Sequence, residues 1–192
     1  MRFMKLTIGA VAAAVFTISA AFAGESTMGG MDHGQDMAAS QWTTQDDAAF
    51  LYGMIAHHKG ALDMSKPIVD STRDADVRRW AQGIVASQQK EIDLMESLAA
   101  RLNLRDEGGA GEMMRREMQA MMDHRVSDNA DTNFVAMMIP HHAGAVDMSL
   151  PALVESDNRE IRTLARDIIA AQAGEIYEFR QWLDAKGFSP RQ

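Results

Sequence analysis

Residues 50–67 and 134–151 are two copies of one pattern. FLYGMIAHHKGALDMSKP and FVAMMIPHHAGAVDMSLP align without a gap at an offset of 84 positions. The identities fall on Met54/Met138, His57/His141, His58/His142, Gly60/Gly144, Asp63/Asp147, Met64/Met148, Ser65/Ser149 and Pro67/Pro151. They continue downstream as Arg78/Arg162, Ala81/Ala165, Ile84/Ile168, Gln88/Gln172 and Glu91/Glu175. The repeated unit is therefore longer than the motif. A chain built this way must fold as two similar units packed on one another.

The period within each unit is helical. In the first copy Phe50, Leu51, Met54, Ile55, His58, Ala61 and Leu62 share one face. Thr43 or Thr44 can cap this helix, with Asp46 and Asp47 in its first turn. Pro67 is expected to kink or end it. A second helix is expected from about Asp74 to Leu102, with Val77, Trp80, Ile84, Ile92, Met95 and Leu98 on its stripe. A polar, glycine-rich break precedes a short helix over 112–124, whose methionines at 113, 114, 118, 121 and 122 form an adaptable apolar face. The second copy then gives one helix from about Asp131 to Pro151 and another from about Asp157 to Lys186, with Asp157 as its cap. No stretch alternates in the manner of a strand. The expected fold is all-α, a four-helix bundle of two repeated hairpins joined by a long Met-rich helical crossover. Its parts are repeat one over 44–103, the connector over 104–130 and repeat two over 131–187.

Residues 1–23 read as a secretory signal. Arg2 and Lys5 precede an apolar run that ends in the small-x-small site Ala21-Phe22-Ala23. Export to the periplasm is expected, with no membrane span in the mature protein. Residues 24–43 form a flexible Met/His-rich tail carrying Met28, Met31, His33 and Met37. A flexible tail has no core to fill, so metal capture is one reading of those side chains.

Composition narrows the chemistry. The formal charge is −8, which excludes nucleic-acid binding by phosphate neutralisation. There is no cysteine, so thiolate zinc and iron–sulfur sites are excluded. Methionine is abundant, at 16 residues. Thioether and imidazole donors together suit copper, since soft sulfur favours Cu(I) and imidazole accepts Cu(I) and Cu(II). Calcium or magnesium would need clustered oxygen ligands. A ferritin-like di-iron centre needs Glu three residues before each histidine, where Met54 and Met138 stand. No nucleophile elbow surrounds Ser65 or Ser149.

Neighbouring histidines on a helix diverge by about 100°. Either each histidine of a pair serves a different site, or one ligates while the other bonds a partner. Gln88/Gln172 and Glu91/Glu175 are read as a solvated face before a hydrogen-bonding role beside histidine. Asp63–Arg78 and Asp147–Arg162 are read as structural ion pairs, and Lys59 can also pair with Asp63. Gly60 and Gly144 are read as points of close helix approach that keep room beside the histidines.

MIAHHKGALDMS and MIPHHAGAVDMS resemble the signature of the CopM-like family of exported bacterial proteins, largely catalogued as a domain of unknown function. The resemblance covers about residues 44–187 and implies a ferritin-like helical bundle. It implies a periplasmic copper-binding protein that sequesters or transfers copper in resistance or homeostasis. By position, the implied metal residues are Met54, His57, His58, Met64, Met138, His141, His142 and Met148. The tail, and Met121 and His124 of the connector, look like accessory copper sites. Copper ions and another periplasmic copper-handling protein are the expected partners. No enzyme is expected. A redox-active copper enzyme such as a Cu(I) oxidase would need an open coordination position, and a structural helical module would need no metal at all.

Overall fold

The computed structural model describes residues 42–188. Five helices follow in order: α1 (Thr44–Ser71), α2 (Ala75–Arg101), α3 (Ala110–Met122), α4 (Ala130–Glu155) and α5 (Arg159–Ala185). The signal and the tail, with Met28, Met31, His33 and Met37, lie outside the described residues.

Each start is chemically marked. Thr43 caps α1 in a reciprocal box with Asp46, its N–H donating to Asp46 Oδ2 at 2.8 Å. Asp74 caps α2 and Asn158 caps α5, at equivalent positions of the two repeats. The expected cap Asp157 is thus displaced by its neighbour, whose Oδ1 accepts from Glu160 and Ile161. α3 starts two residues earlier than its pattern suggests. Its N-cap Gly109 has a left-handed φ of 71° and no side chain, and Asp106 substitutes by accepting from Ala110 at 2.7 Å and Gly111 at 3.0 Å.

Proline does not stop the helices. α1 runs through Pro67 to Ser71, and α4 runs through Pro140 and Pro151 to Glu155. The residues whose carbonyls lose their partners to Pro67 and Pro151 are Asp63 and Asp147, both exposed, where water can satisfy them.

The turn within each hairpin is pinned twice over in the same way. Thr72 Oγ1 accepts from Asp74 N–H and Ser156 Oγ accepts from Asn158 N–H, each at 3.1 Å. Arg78 donates to the Thr72 carbonyl and Arg162 to the Ser156 carbonyl. These bonds replace the expected pairs with Asp63 and Asp147, since a helix end leaves carbonyls that a nearby guanidinium can satisfy. Lys59 likewise turns to Glu96 at 3.2 Å rather than to Asp63.

α1 packs on α2, α4 on α5, and α1 meets α4 between the hairpins. Met148 lies over Gly53 and His57 over Gly144, so α1 and α4 run antiparallel. Two apolar clusters result. One joins Leu51, Met54, Met95 and Leu98 to Ala145, Ile161 and Ile168. The other joins Ala61, Val77 and Ile84 to Phe134, Met138, Phe179 and Leu183. Each cluster draws on all four long helices, and the buried side chains between the clusters are polar: His57 and His58 on α1, Gln88 on α2, His141 and His142 on α4, and Gln172 on α5.

Candidate metal centre

That polar layer is the candidate site. α1 contributes His57 and His58, α4 contributes His141 and His142, α2 contributes Gln88 and Glu91, and α5 contributes Gln172 and Glu175. All four histidines are at most 2% exposed, as are both glutamines. The repeat explains the arrangement: two hairpins packed antiparallel bring their mid-points together, so one motif occurring twice makes one layer.

His58 Nε2 donates to Glu91 Oε2 at 2.8 Å, and His142 Nε2 donates to Glu175 Oε2 at 2.6 Å. His141 Nε2 donates to the His57 carbonyl at 3.2 Å. A proton on Nε2 leaves Nδ1 as a bare lone pair in the neutral ring. The Nδ1 atoms of all four histidines are buried and have no hydrogen-bond partner. Buried polar atoms are nearly always paired, with protein, ordered water or a bound ion, so four such nitrogens in one layer mark it as the candidate site. The amide groups of Gln88 and Gln172 and the hydroxyls of Ser65 and Ser149 are orphaned in the same symmetric manner.

Burial also sets the charge. It pushes His57 down to about 3, with the neighbouring imidazoles adding to the effect. Burial likewise holds His141 well below the ordinary histidine range. Both rings are neutral at pH 7 and available as ligands.

The rings of His57 and His58 lie 6.2 Å apart between centroids, and those of His141 and His142 lie 6.0 Å apart. Two imidazoles sharing one ion through metal–nitrogen bonds of about 2 Å need roughly this spacing. His57 and His141 are only 3.8 Å apart and tilted at 45°, too close to admit an ion between them. Among the described residues no three His, Asp or Glu side chains are placed to hold one ion. Paired neutral imidazoles suit first-row metals, copper in either oxidation state among them.

Gln88, Gln172, Glu91 and Glu175 are the residues that the solvated-face reading missed. The glutamines are buried and the glutamates half-buried, and their repetition at one offset from each histidine pair was the available signal. Met54 and Met138, one turn before the histidines, are fully buried in separate apolar clusters. Met64 and Met148 are half-buried. Met121 and His124 are away from the layer, beside a surface cavity. The two glycines part company. A Cβ at Gly144 would meet His57 Nε2 at 3.3 Å, whereas one at Gly60 would meet Met118 Cγ at 3.0 Å. Gly144 makes room for a histidine, and Gly60 seats the connector. Met118 is the only buried methionine of α3, while Met113 is 61% exposed.

The chain matches the family described as a domain of unknown function (DUF305) over residues 17–99 and 102–183. It belongs to the DUF305 family. A DUF305 fragment from Deinococcus radiodurans is 30% identical, with a TM-score of 0.60, covering 76% of this chain and 99% of that one. CopM in the Cu(I)-bound form is 26% identical, with a TM-score of 0.60, covering 76% of this chain and 98% of that one. CopM has also been solved in Cu(II)-bound, Ag-bound and apo forms. The uncharacterized protein L153 of Acanthamoeba polyphaga mimivirus is 47% identical over 53 residues, which span 28% of this chain and 35% of the viral protein. The DUF305 fold is all-helical here, as expected. Among the described residues no helix is long and apolar enough to cross a membrane.

Proposed function

We propose that this DUF305 protein binds monovalent copper in the buried histidine layer, one ion per repeat, and sequesters or transfers it in the periplasm. The observation that carries the reading is the set of four buried Nδ1 atoms without partners. His57 and His58 hold one ion, and His141 and His142 hold the other. Glu91 and Glu175 keep Nε2 protonated and Nδ1 free, and each carboxylate offsets the charge of one buried cation. Met54 and Met138 give each pair a soft, polarisable wall one turn away. The copper and silver forms of CopM support the metal class.

Binding without turnover is the reading favoured here. Histidines at most 2% exposed are shielded from solvent, which favours holding an ion over turning substrate over. The reading of residues 1–23 as a secretory signal supports a role outside the cytoplasm.

The test is an anaerobic Cu(I) titration against a chromophoric chelator. Wild type is expected to take two equivalents tightly. His58→Ala/His142→Ala is expected to lose both, while removal of residues 24–41 leaves them. Tight binding that survives the double substitution, or that vanishes with the tail alone, contradicts the proposal.

A further inference from the structure

The two repeats end alike and are covered differently. Leu104 N–H donates to the Ala99 carbonyl after α2, and Phe188 N–H donates to the Leu183 carbonyl after α5, each at 2.9 Å. Asn103 and Gly187, at equivalent positions, both take the left-handed backbone, with φ of 51° and 69°. Beyond Leu104 the chain turns back over α1. Tyr52 Oη donates to the Leu104 carbonyl at 3.2 Å, a Cβ at Gly111 would meet the Tyr52 carbonyl oxygen at 3.2 Å, and α3 then packs along α1. Among the described residues no helix takes the matching place over α4.

The positions left without that cover line a cavity of about 860 Å³. Its wall on α4 is Ala136, Met137, Ile139 and Pro140, which the repeat matches to Tyr52, Gly53, Ile55 and Ala56 of α1. Ile55 is buried, whereas Ile139 is half-buried and Pro140 exposed. The tyrosine that fastens the cover in repeat one is an alanine here, so both the ring and its O–H donor are missing. Val126, after α3, and Phe188, after α5, complete the apolar wall. The cavity is thus bounded by the end of α3, the turn after it, α4 and the end of α5. Such a space suits a compact molecule, not a further helix.

The polar part of the lining is small. It consists of the side chains of His124 and Arg180. Arg180 stands where repeat one has Glu96, which pairs with Lys59 of α1. Lys59 is matched by Ala143, so the charge on α5 is reversed and the crossing partner on α4 is gone. Arg180 instead pairs with Asp184 on its own helix at 3.0 Å, with both side chains about half exposed. Such an exposed pair is weak, and a carboxylate that meets the guanidinium at two points competes with it. Cavities of about 300–1,000 Å³ with apolar walls and a few placed polar groups have the dimensions of small-molecule sites.

We propose that this cavity binds a small amphipathic organic anion, with its apolar body against Met137, Ile139, Val126 and Phe188 and its carboxylate on Arg180. The cavity shares no residue with the histidine layer, so this inference stands apart from the reading of that layer as a copper site.

Calorimetric titration of the chain from residue 24 onward with decanoate tests the proposal, with decanol as the uncharged control. Decanoate is expected to saturate at one equivalent and to bind about tenfold more tightly than decanol. Arg180→Gln, at an exposed position, is expected to remove that tenfold preference and leave decanol unchanged. Ala136→Tyr, which restores the residue of repeat one, fills the cavity and is expected to weaken both ligands about tenfold without altering Cu(I) stoichiometry. Decanoate binding that never saturates, or that either substitution leaves unchanged, overturns the proposal.

Discussion

His58 and Glu91 meet at 2.8 Å across the first hairpin, and His142 and Glu175 repeat the contact at 2.6 Å across the second. Each carboxylate holds a ring by one nitrogen and leaves the other free. Glu91→Gln/Glu175→Gln removes two negative charges and the preference for a protonated Nε2. Cu(I) affinity is expected to fall by about 10–100-fold. Chelator competition measures it, and a circular dichroism melt checks that the fold persists.

Two glycines at the same place in the repeat should respond differently. Gly144→Ala puts a Cβ at 3.3 Å from His57 Nε2, so it is expected to weaken copper binding. The gain in helix propensity, about 1 kcal/mol, should leave stability close to wild type. Gly60→Ala meets Met118 at Cγ and Cβ, 3.0 and 3.1 Å away, and must push α3 outward. It is expected to lower the melting temperature and leave affinity for the buried ions unchanged. Paired melts and titrations of the two variants decide this.

The apo protein should be acid-sensitive. The His57 value lies at about 3 in the folded protein, below the ordinary 6.5, and His141 is shifted the same way. The unfolded chain therefore binds more protons than the folded one in this window. Stability is complete above about pH 6.5 and is lost as pH falls from there toward about 3. Denaturant unfolding across this range is expected to show a falling midpoint. Bound Cu(I), which competes with protons for the same nitrogens, should move the loss to lower pH.

The hairpin turns give a control away from the layer. Arg78→Ala and Arg162→Ala each free a helix-end carbonyl, at Thr72 and Ser156. Each is expected to cost about 1–2 kcal/mol. Asp63→Ala and Asp147→Ala touch nothing comparable and should stay within about 0.5 kcal/mol. Urea midpoints distinguish the sets.

The bundle was legible because the repeat and the 3.6-residue period agree on four long helices. Helix ends were less so. Pro67 and Pro151 look like stops in sequence, yet the residues left with unpaired carbonyls face water, so the helices continue. Arg78 and Arg162 were visible as repeated residues, but their partners were not. A side chain's partner depends on which end of which helix comes near, and the turn carbonyls were nearer than the aspartates. The paired histidines stand out in the sequence, but their neighbours do not, because one helix holds adjacent side chains about 100° apart. Only the antiparallel packing of α1 on α4 stacks His57 on His141, and only the hairpin packing sets His58 beside Glu91 and His142 beside Glu175.

Copper K-edge X-ray absorption on protein loaded anaerobically with two equivalents of Cu(I) tests the central claim most directly. The account predicts a first shell dominated by imidazole nitrogen at about 2 Å, with two such ligands per ion. A first shell dominated by sulfur would place the tightly held copper on the methionines and contradict the assignment to the histidine layer.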